Sequence, residues 1–243
     1  MINIDDIPKS LNHGRTDKEM IECKKNLYEY ISKFRKSTEV IYAPIKLDVL
    51  KRQFKETFEQ LNSEELILNE HNSPIFDLMC RYFTKDSSFT DSDIVMNTPS
   101  LNKGLLIIGK YGCGKTAMME TFHEIGRLLM PNKYLWFVSI STLELIDEYE
   151  SQNNTSKEQF FKKYNDVKTI YFDDFGTEED ASNYGKKNLL KEIIEKRYMK
   201  KNKTFLTTNL SLIEIKEKYG NRVFSRLQEM FNIIQFPGDD MRR

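Results

Sequence analysis

The run Gly109-Lys110-Tyr111-Gly112-Cys113-Gly114-Lys115-Thr116 fits the pattern G-x-x-x-x-G-K-[ST]. Each residue type in it has a chemical use. The three glycines let the main chain turn tightly and bring its N–H groups against phosphate oxygens. Lys115 offers a positive charge to the β- and γ-phosphates of a nucleotide, and the Thr116 hydroxyl offers a ligand for Mg²⁺. A second stretch, Lys168-Thr169-Ile170-Tyr171-Phe172-Asp173-Asp174, is an apolar run ending in two acids. In that pattern Asp173 holds the metal, directly or through water, and Asp174 orients or deprotonates an attacking water. An Asp-Asp pair alone is usually a solvated strand end. Here its position gives it weight, because one strand–helix unit separates it from the glycine loop. A third stretch, Thr207-Thr208-Asn209, puts an amide at the end of a later strand. Asn209 suits the γ-phosphate or its water, with a helix cap as the alternative reading, since Ser211 opens a helix nearby.

Specific elements must position these residues. Gly104-Leu105-Leu106-Ile107-Ile108 has the length and apolar character of a buried parallel strand. Ala117-Met118-Met119-Glu120-Thr121-Phe122 is good helix-forming sequence, so strand, loop and helix come in the order the loop requires. The positive end of that helix faces the same anion. The binding stretch therefore runs from Gly109 through Lys110, Tyr111, Gly112, Cys113, Gly114, Lys115 and Thr116 to Ala117. Strands are expected at 134–139, 168–173, 204–208 and 232–236, alternating with helices at 142–149, 184–199, 211–219 and 221–230. This alternation is the signature of an α/β fold with a mostly parallel central sheet flanked by helices. The first 95 residues read as a small helical region. One helix is expected from Asp17 to Phe34, one on Leu47, Leu50, Phe54, Phe58 and Leu61, and one opening at Ser73-Pro74. Residues 85–103 read as a polar connection.

Composition narrows the classes. Lys and Arg total 37, as do Asp and Glu, so any nucleic-acid contact must come from a local patch, with Lys186, Lys187 and Lys191 the candidates. No apolar run reaches the ~18 residues of a membrane span, and the polar, acidic start does not read as a signal peptide. Cys23, Cys80 and Cys113 make no C-x-x-C pair, as in a reduced, cytoplasmic protein without a zinc site.

Gly109–Thr116, Ile170–Asp174, Thr207–Leu210 and Tyr219-Gly220-Asn221-Arg222-Val223-Phe224-Ser225-Arg226-Leu227 together resemble the DnaC/DnaI/IstB group of AAA+ ATPases, the replicative-helicase loaders and transposition helpers. The Arg197-Tyr198 pair adds to the likeness, which covers residues 104–242. The glycine loop is shared by many ATPases; Thr-Thr-Asn combined with Arg-x-x-x-Arg is narrower. The resemblance implies a P-loop AAA+ core over 96–243 with little or no C-terminal lid; the helical region over 1–95 lies outside the likeness, and its apolar stripes suit packing against one another or, alternatively, docking on a partner protein. It implies that Asn209 is the sensor 1 residue and that Arg226, or else Arg222, is a finger acting on the ATP of a neighbouring subunit. It implies that Arg242 senses nucleotide. By their own spacing, Arg222 and Arg226 suit surface ion pairs with Glu217 or Glu229 equally well. The implied activity is Mg²⁺-dependent ATP hydrolysis by a ring or spiral that loads a replicative helicase on single-stranded DNA. The alternatives are a helper of a transposase on duplex DNA and a nucleotide-dependent binding module with weak hydrolysis.

Overall fold

Five strands of the computed structural model lie side by side in the order β2-β3-β4-β1-β5, every pairing parallel. The structure describes residues 45–128, 135–152, 156–177 and 189–238. The strands are β1 (Gly104–Ile108), β2 (Val138–Ser141), β3 (Thr169–Asp173), β4 (Lys203–Thr208) and β5 (Phe231–Gln235). Successive side chains of a strand point to opposite faces, and here both faces are covered. Leu105, Ile107, Tyr171, Phe205 and Ile234 share one core, and Leu106, Ile108, Ile170, Phe172, Leu206 and Ile233 the other. Burial on both sides is why these strands read as continuous apolar runs rather than as alternating ones.

The second core is closed by α4 (Thr142–Ser151), α5 (Lys157–Asp166), α6 (Leu189–Lys200), α7 (Leu212–Tyr219) and α8 (Asn221–Met230). The first is closed by α1 (Leu47–Asn62), α2 (Ser73–Thr84) and α3 (Lys115–Leu128). An aromatic cluster joins α1 and α2 to this face. Phe54 and Phe83 both pack on Phe122 of α3, with ring centroids 4.6 and 4.4 Å apart, and Phe83 also meets Phe205 of β4 at 5.7 Å. Burying one such ring is worth about 1.5–3 kcal/mol. A boundary between 95 and 96, as expected from the sequence, therefore cuts through a shared core, and residues 45–95 belong to the same compact unit as the sheet. The polar connection is also tied down: Val95 bridges Ile234 of β5, and Met96 N–H donates to Ile233 O at 2.8 Å.

The strand expected at 134–139 is displaced toward the C-terminus. Ser139-Ile140-Ser141 reads as polar, yet it pairs with Tyr171-Phe172-Asp173, and Ser141 then caps α4 in a reciprocal box with Glu144. The helix expected at 17–34 lies outside the described residues, as do Lys186, Lys187 and Arg242.

Arg197 is wholly buried among neutral acceptors. Its Nη1 donates to Tyr164 O at 2.7 Å and Val167 O at 2.8 Å, its Nη2 to Lys203 O at 2.7 Å, and its Nε to Thr204 Oγ1 at 2.8 Å. One guanidinium thus ties the C-terminal end of α5 and its capping residue Val167 to the start of β4, and the negative end of the α5 dipole favours a cation there. Burial pushes its pKa down to about 10, which leaves it charged at neutral pH. Arg197→Met keeps the bulk and orphans four acceptors, at roughly 1–3 kcal/mol for each one that water cannot reach. We expect a total loss of about 3–5 kcal/mol, which for a domain of this size lowers Tm by roughly 10 °C. Thermal denaturation checks this; a shift within about 2 °C would mean that water replaces the guanidinium.

Candidate functional site

The site lies at the carboxyl ends of three adjacent strands, β3, β4 and β1, where their registers come level at Ile108↔Thr208 and Phe172↔Leu206. The glycine loop leaves β1 and enters α3. Gly112 and Gly114 have φ of 71° and 97°, the left-handed conformation that glycine adopts without a Cβ penalty. Gly109 is needed for a different reason: a Cβ there would lie 2.8 Å from Phe236 O. The turn ends where Lys115 opens α3, with Met118 N–H donating to Gly114 O at 3.0 Å. Lys110 and Tyr111 lie exposed on the loop, while Cys113 is buried beneath it.

The Lys115 side chain is buried, and its Nζ has three oxygen partners: Gly109 O at 2.8 Å, Lys110 O at 2.7 Å and Asn209 Oδ1 at 2.8 Å. Asn209 reaches across with its other end, donating from Nδ2 to Asp174 Oδ1 at 3.3 Å. The amide thus links the lysine of the loop to the second acid of the pair. It does not cap α7, because Ser211 does so in its own box with Glu214.

Thr116 Oγ1 lies 2.9 and 3.1 Å from the two oxygens of Asp173. Asp173 Oδ1 also accepts from the hydroxyls of Tyr171 and Thr207. Negative charge gathers on this side of the site. Burial raises the Glu120 carboxyl above its ordinary range, and the charges of Asp173 and Glu144 raise it further. Thr116 and Asp173 therefore put two hard oxygen donors together in a negative field, which suits Mg²⁺. The run of N–H groups at the start of α3, with Lys115 beside it, suits the phosphates of ATP.

Asp174 sits at φ 54°, in a left-handed conformation that Asp tolerates better than most residues. The turn that carries it is pinned from β4. Asp174 N–H donates to Thr207 Oγ1 at 3.1 Å, Phe175 N–H to Thr207 O at 2.8 Å, and Thr208 Oγ1 to Phe175 O at 2.6 Å. The fully buried Phe175 ring stacks on Tyr219 of α7 at 4.5 Å, which anchors the turn in the core. Two adjacent aspartates consequently face different surroundings: Asp173 is held by hydroxyls, and Asp174 is turned toward Asn209.

The two arginines of α8 differ sharply. Arg226 is 13% exposed, with Nη1 2.9 Å from Glu195 Oε1 of α6 and its guanidinium carbon 5.0 Å from the Tyr198 ring centroid. That ion pair is close but lacks a hydrogen-bonding angle, so Nη1 is buried with no directed acceptor. Arg222 is 75% exposed, with Nε 3.5 Å from the same Glu195 oxygen. The ion-pair reading thus has its partner on α6, not at Glu217 or Glu229. The loop lysine and threonine, both aspartates and Asn209 come together; Arg222 and Arg226 form a separate cluster on α8 with Glu195. Sequence reasoning missed Tyr171 and Thr207 as holders of Asp173, and the alternation of β3, which puts residues 171 and 173 on one face, is the signal that carries the first.

The fold is similar to that of several solved structures. A candidate primosome component from Streptococcus pyogenes serotype M3 superposes with a TM-score of 0.52 at 17% identity, over 79% of this chain and 99% of that one. The DnaI structure gives 0.51 at 18% identity, over 71% and 88%. Domain III of the Thermotoga maritima replication initiation protein DnaA gives 0.50 at 17% identity, over 72% and 66%. The chain shares the fold of these solved structures, a parallel sheet flanked by helices, as the alternation of strands and helices led one to expect. No protein-family model matches the sequence, and none of the curated proteins does.

Proposed function

We propose that this chain is a Mg²⁺-dependent ATPase that assembles on single-stranded DNA and loads a replicative helicase. The observation that carries the reading is the convergence of Lys115, Thr116, Asp173, Asp174 and Asn209 at the carboxyl ends of three adjacent strands. Lys115 and the N–H groups of Gly112 to Ala117 would hold the phosphates of ATP, with Gly109 to Cys113 shaping the loop. Thr116 and Asp173 would hold Mg²⁺, which when bound neutralises the phosphate oxygens. Asp174 orients a water and takes its proton, and Asn209 holds Asp174 and Lys115 in register. An arginine of α8, Arg226 or Arg222, serves the site of a neighbouring copy, because a guanidinium matches the charge that spreads over the transferred phosphoryl group. Arg242, outside the described residues, is the proposed second sensor of nucleotide.

The loader assignment is supported by the likeness to DnaI and to the primosome component. The helical region up to residue 95 is the proposed helicase contact. No helix among the described residues is long and apolar enough to cross a membrane; the proposed setting is the cytoplasm.

The test is single-stranded DNA binding with ATP present. The chain has a formal charge of zero, so affinity must come from a local patch such as Lys191 with Lys186 and Lys187. Each phosphate neutralised on a single strand steepens the log–log salt dependence by about 0.7. Three contacts predict a slope of about −2. Absence of binding at low salt, or affinity indifferent to salt, overturns the DNA part of the reading.

A further inference from the structure

Thr116, Tyr171 and Thr207 all direct hydroxyls at Asp173, and they are not equivalent. Thr116 has a single hydroxyl hydrogen, shared between Oδ1 at 2.9 Å and Oδ2 at 3.1 Å. Tyr171 and Thr207 both address Oδ1 alone. Their own oxygens are 3.1 Å apart. Each hydroxyl carries one hydrogen, and with both spent on Asp173 that 3.1 Å contact is one between lone pairs. Thr207 has a further duty, since its Oγ1 accepts from Asp174 N–H. Tyr171 is fully buried, and its ring meets Phe137 edge-on. Its hydroxyl also lies within hydrogen-bond distance of Thr207 Oγ1, where either oxygen could donate, and the contact to Asp173 Oδ1 is the shorter of the two.

We infer that Tyr171 is a positioning residue for the metal: with Thr207 it locks Oδ1 of Asp173, so that Oδ2 is the oxygen presented beside Thr116 to Mg²⁺. The inference rests on the ATPase reading above. Thr116 can turn a lone pair toward the metal and keep its one hydrogen on the carboxylate. Whichever oxygen that hydrogen favours, Oδ1 carries two further donors and Oδ2 none, which leaves Oδ2 as the more open acceptor. Strand geometry makes this possible, because residues two apart on β3 share a face and a tyrosine ring laid along the strand brings its hydroxyl to the next carboxylate on that face. Groups that orient a metal ligand through a hydrogen bond typically govern 10- to 100-fold in metal affinity or activity.

Tyr171→Phe keeps the buried ring and removes the hydroxyl. The readout is binding of a fluorescent ATP analogue to the full chain as Mg²⁺ is titrated, with a parallel titration in EDTA and a Tm. The expected result is a half-saturating Mg²⁺ concentration raised about tenfold, with unchanged binding in EDTA and a Tm lowered by only a few degrees. A purely structural tyrosine would instead lower the Tm and weaken binding in EDTA and Mg²⁺ alike. A second comparison guards against a folding defect: in an Asp173→Asn background, Tyr171→Phe should add nothing to the Mg²⁺ dependence, because the group it orients is gone. Superimposable Mg²⁺ titrations for parent and Tyr171→Phe overturn the inference while leaving the ATPase reading intact. A parent that binds the analogue without any Mg²⁺ dependence overturns both.

Discussion

Two inactive proteins, one carrying Lys115→Ala and the other Arg226→Ala, should recover ATP hydrolysis when mixed. The first lacks the charge that holds phosphates in its own site; the second keeps that site and lacks a guanidinium to lend. A finger supplied in trans is worth about 10³-fold or more in rate, so each parentless mixture starts from a low base and the recovery is easy to read. The structure adds a condition. Arg226 lies against Glu195 and the Tyr198 ring of its own chain, with Nη1 buried and lacking a directed acceptor. To serve a neighbour it must give up that ion pair and the Tyr198 ring, although no directed hydrogen bond of Nη1 is broken. Arg222, four residues earlier and 75% exposed, needs no such release. Running Arg222→Ala through the same mixture separates the two. Recovery with Arg226→Ala assigns the finger to Arg226; recovery only with Arg222→Ala assigns it to Arg222. Hetero-oligomers that form without recovery in either case remove the trans mechanism and leave both arginines as ion-pair residues of α8.

The second large effect separates binding from turnover. Lys115→Ala removes a charge-assisted contact to phosphate, worth about 1.5–3 kcal/mol, and should weaken ATP affinity roughly ten- to hundredfold. Asp174→Asn is closer to silent in the ground state. Asn tolerates the φ of 54° at that position, and its carbonyl oxygen can still accept from Asn209 Nδ2. What it loses is the capacity to take a proton from water. Loss of a general base typically costs 10²- to 10⁴-fold, so hydrolysis should fall by about that factor with ATP affinity nearly unchanged.

The parts of the site legible in the sequence are those whose chemistry is encoded locally. The glycine loop carries its own geometry in eight consecutive residues. Asp173 and Asp174 follow an apolar run, and Asn209 ends another, so their places at the carboxyl ends of neighbouring strands follow from a parallel sheet alone. What stayed hidden depends on partners far along the chain. Tyr171 looks like one more apolar strand residue until β4 brings Thr207 beside it. Arg197 looks like a helix-surface cation until the end of α5 and the start of β4 close around it. The apolar stripes of α1 and α2 announce burial without naming what buries them, and Phe122 and Phe205 turn out to be the partners. β2 was displaced because Ser139 and Ser141 disguise a half-buried edge strand whose pairing with β3 is made by the main chain.

The most direct test of the central claim is the single-turnover rate of ATP cleavage by the assembled full chain, measured beside nucleotide affinity for the parent, Lys115→Ala and Asp174→Asn proteins with Mg²⁺ present. The account predicts a parent that binds and cleaves ATP, a Lys115→Ala protein that binds it poorly, and an Asp174→Asn protein that binds it normally and cleaves it about 10²-fold or more slowly. Equal cleavage by the Asp174→Asn protein and the parent would contradict the role given to Asp174, and a parent that binds no ATP would contradict the account itself.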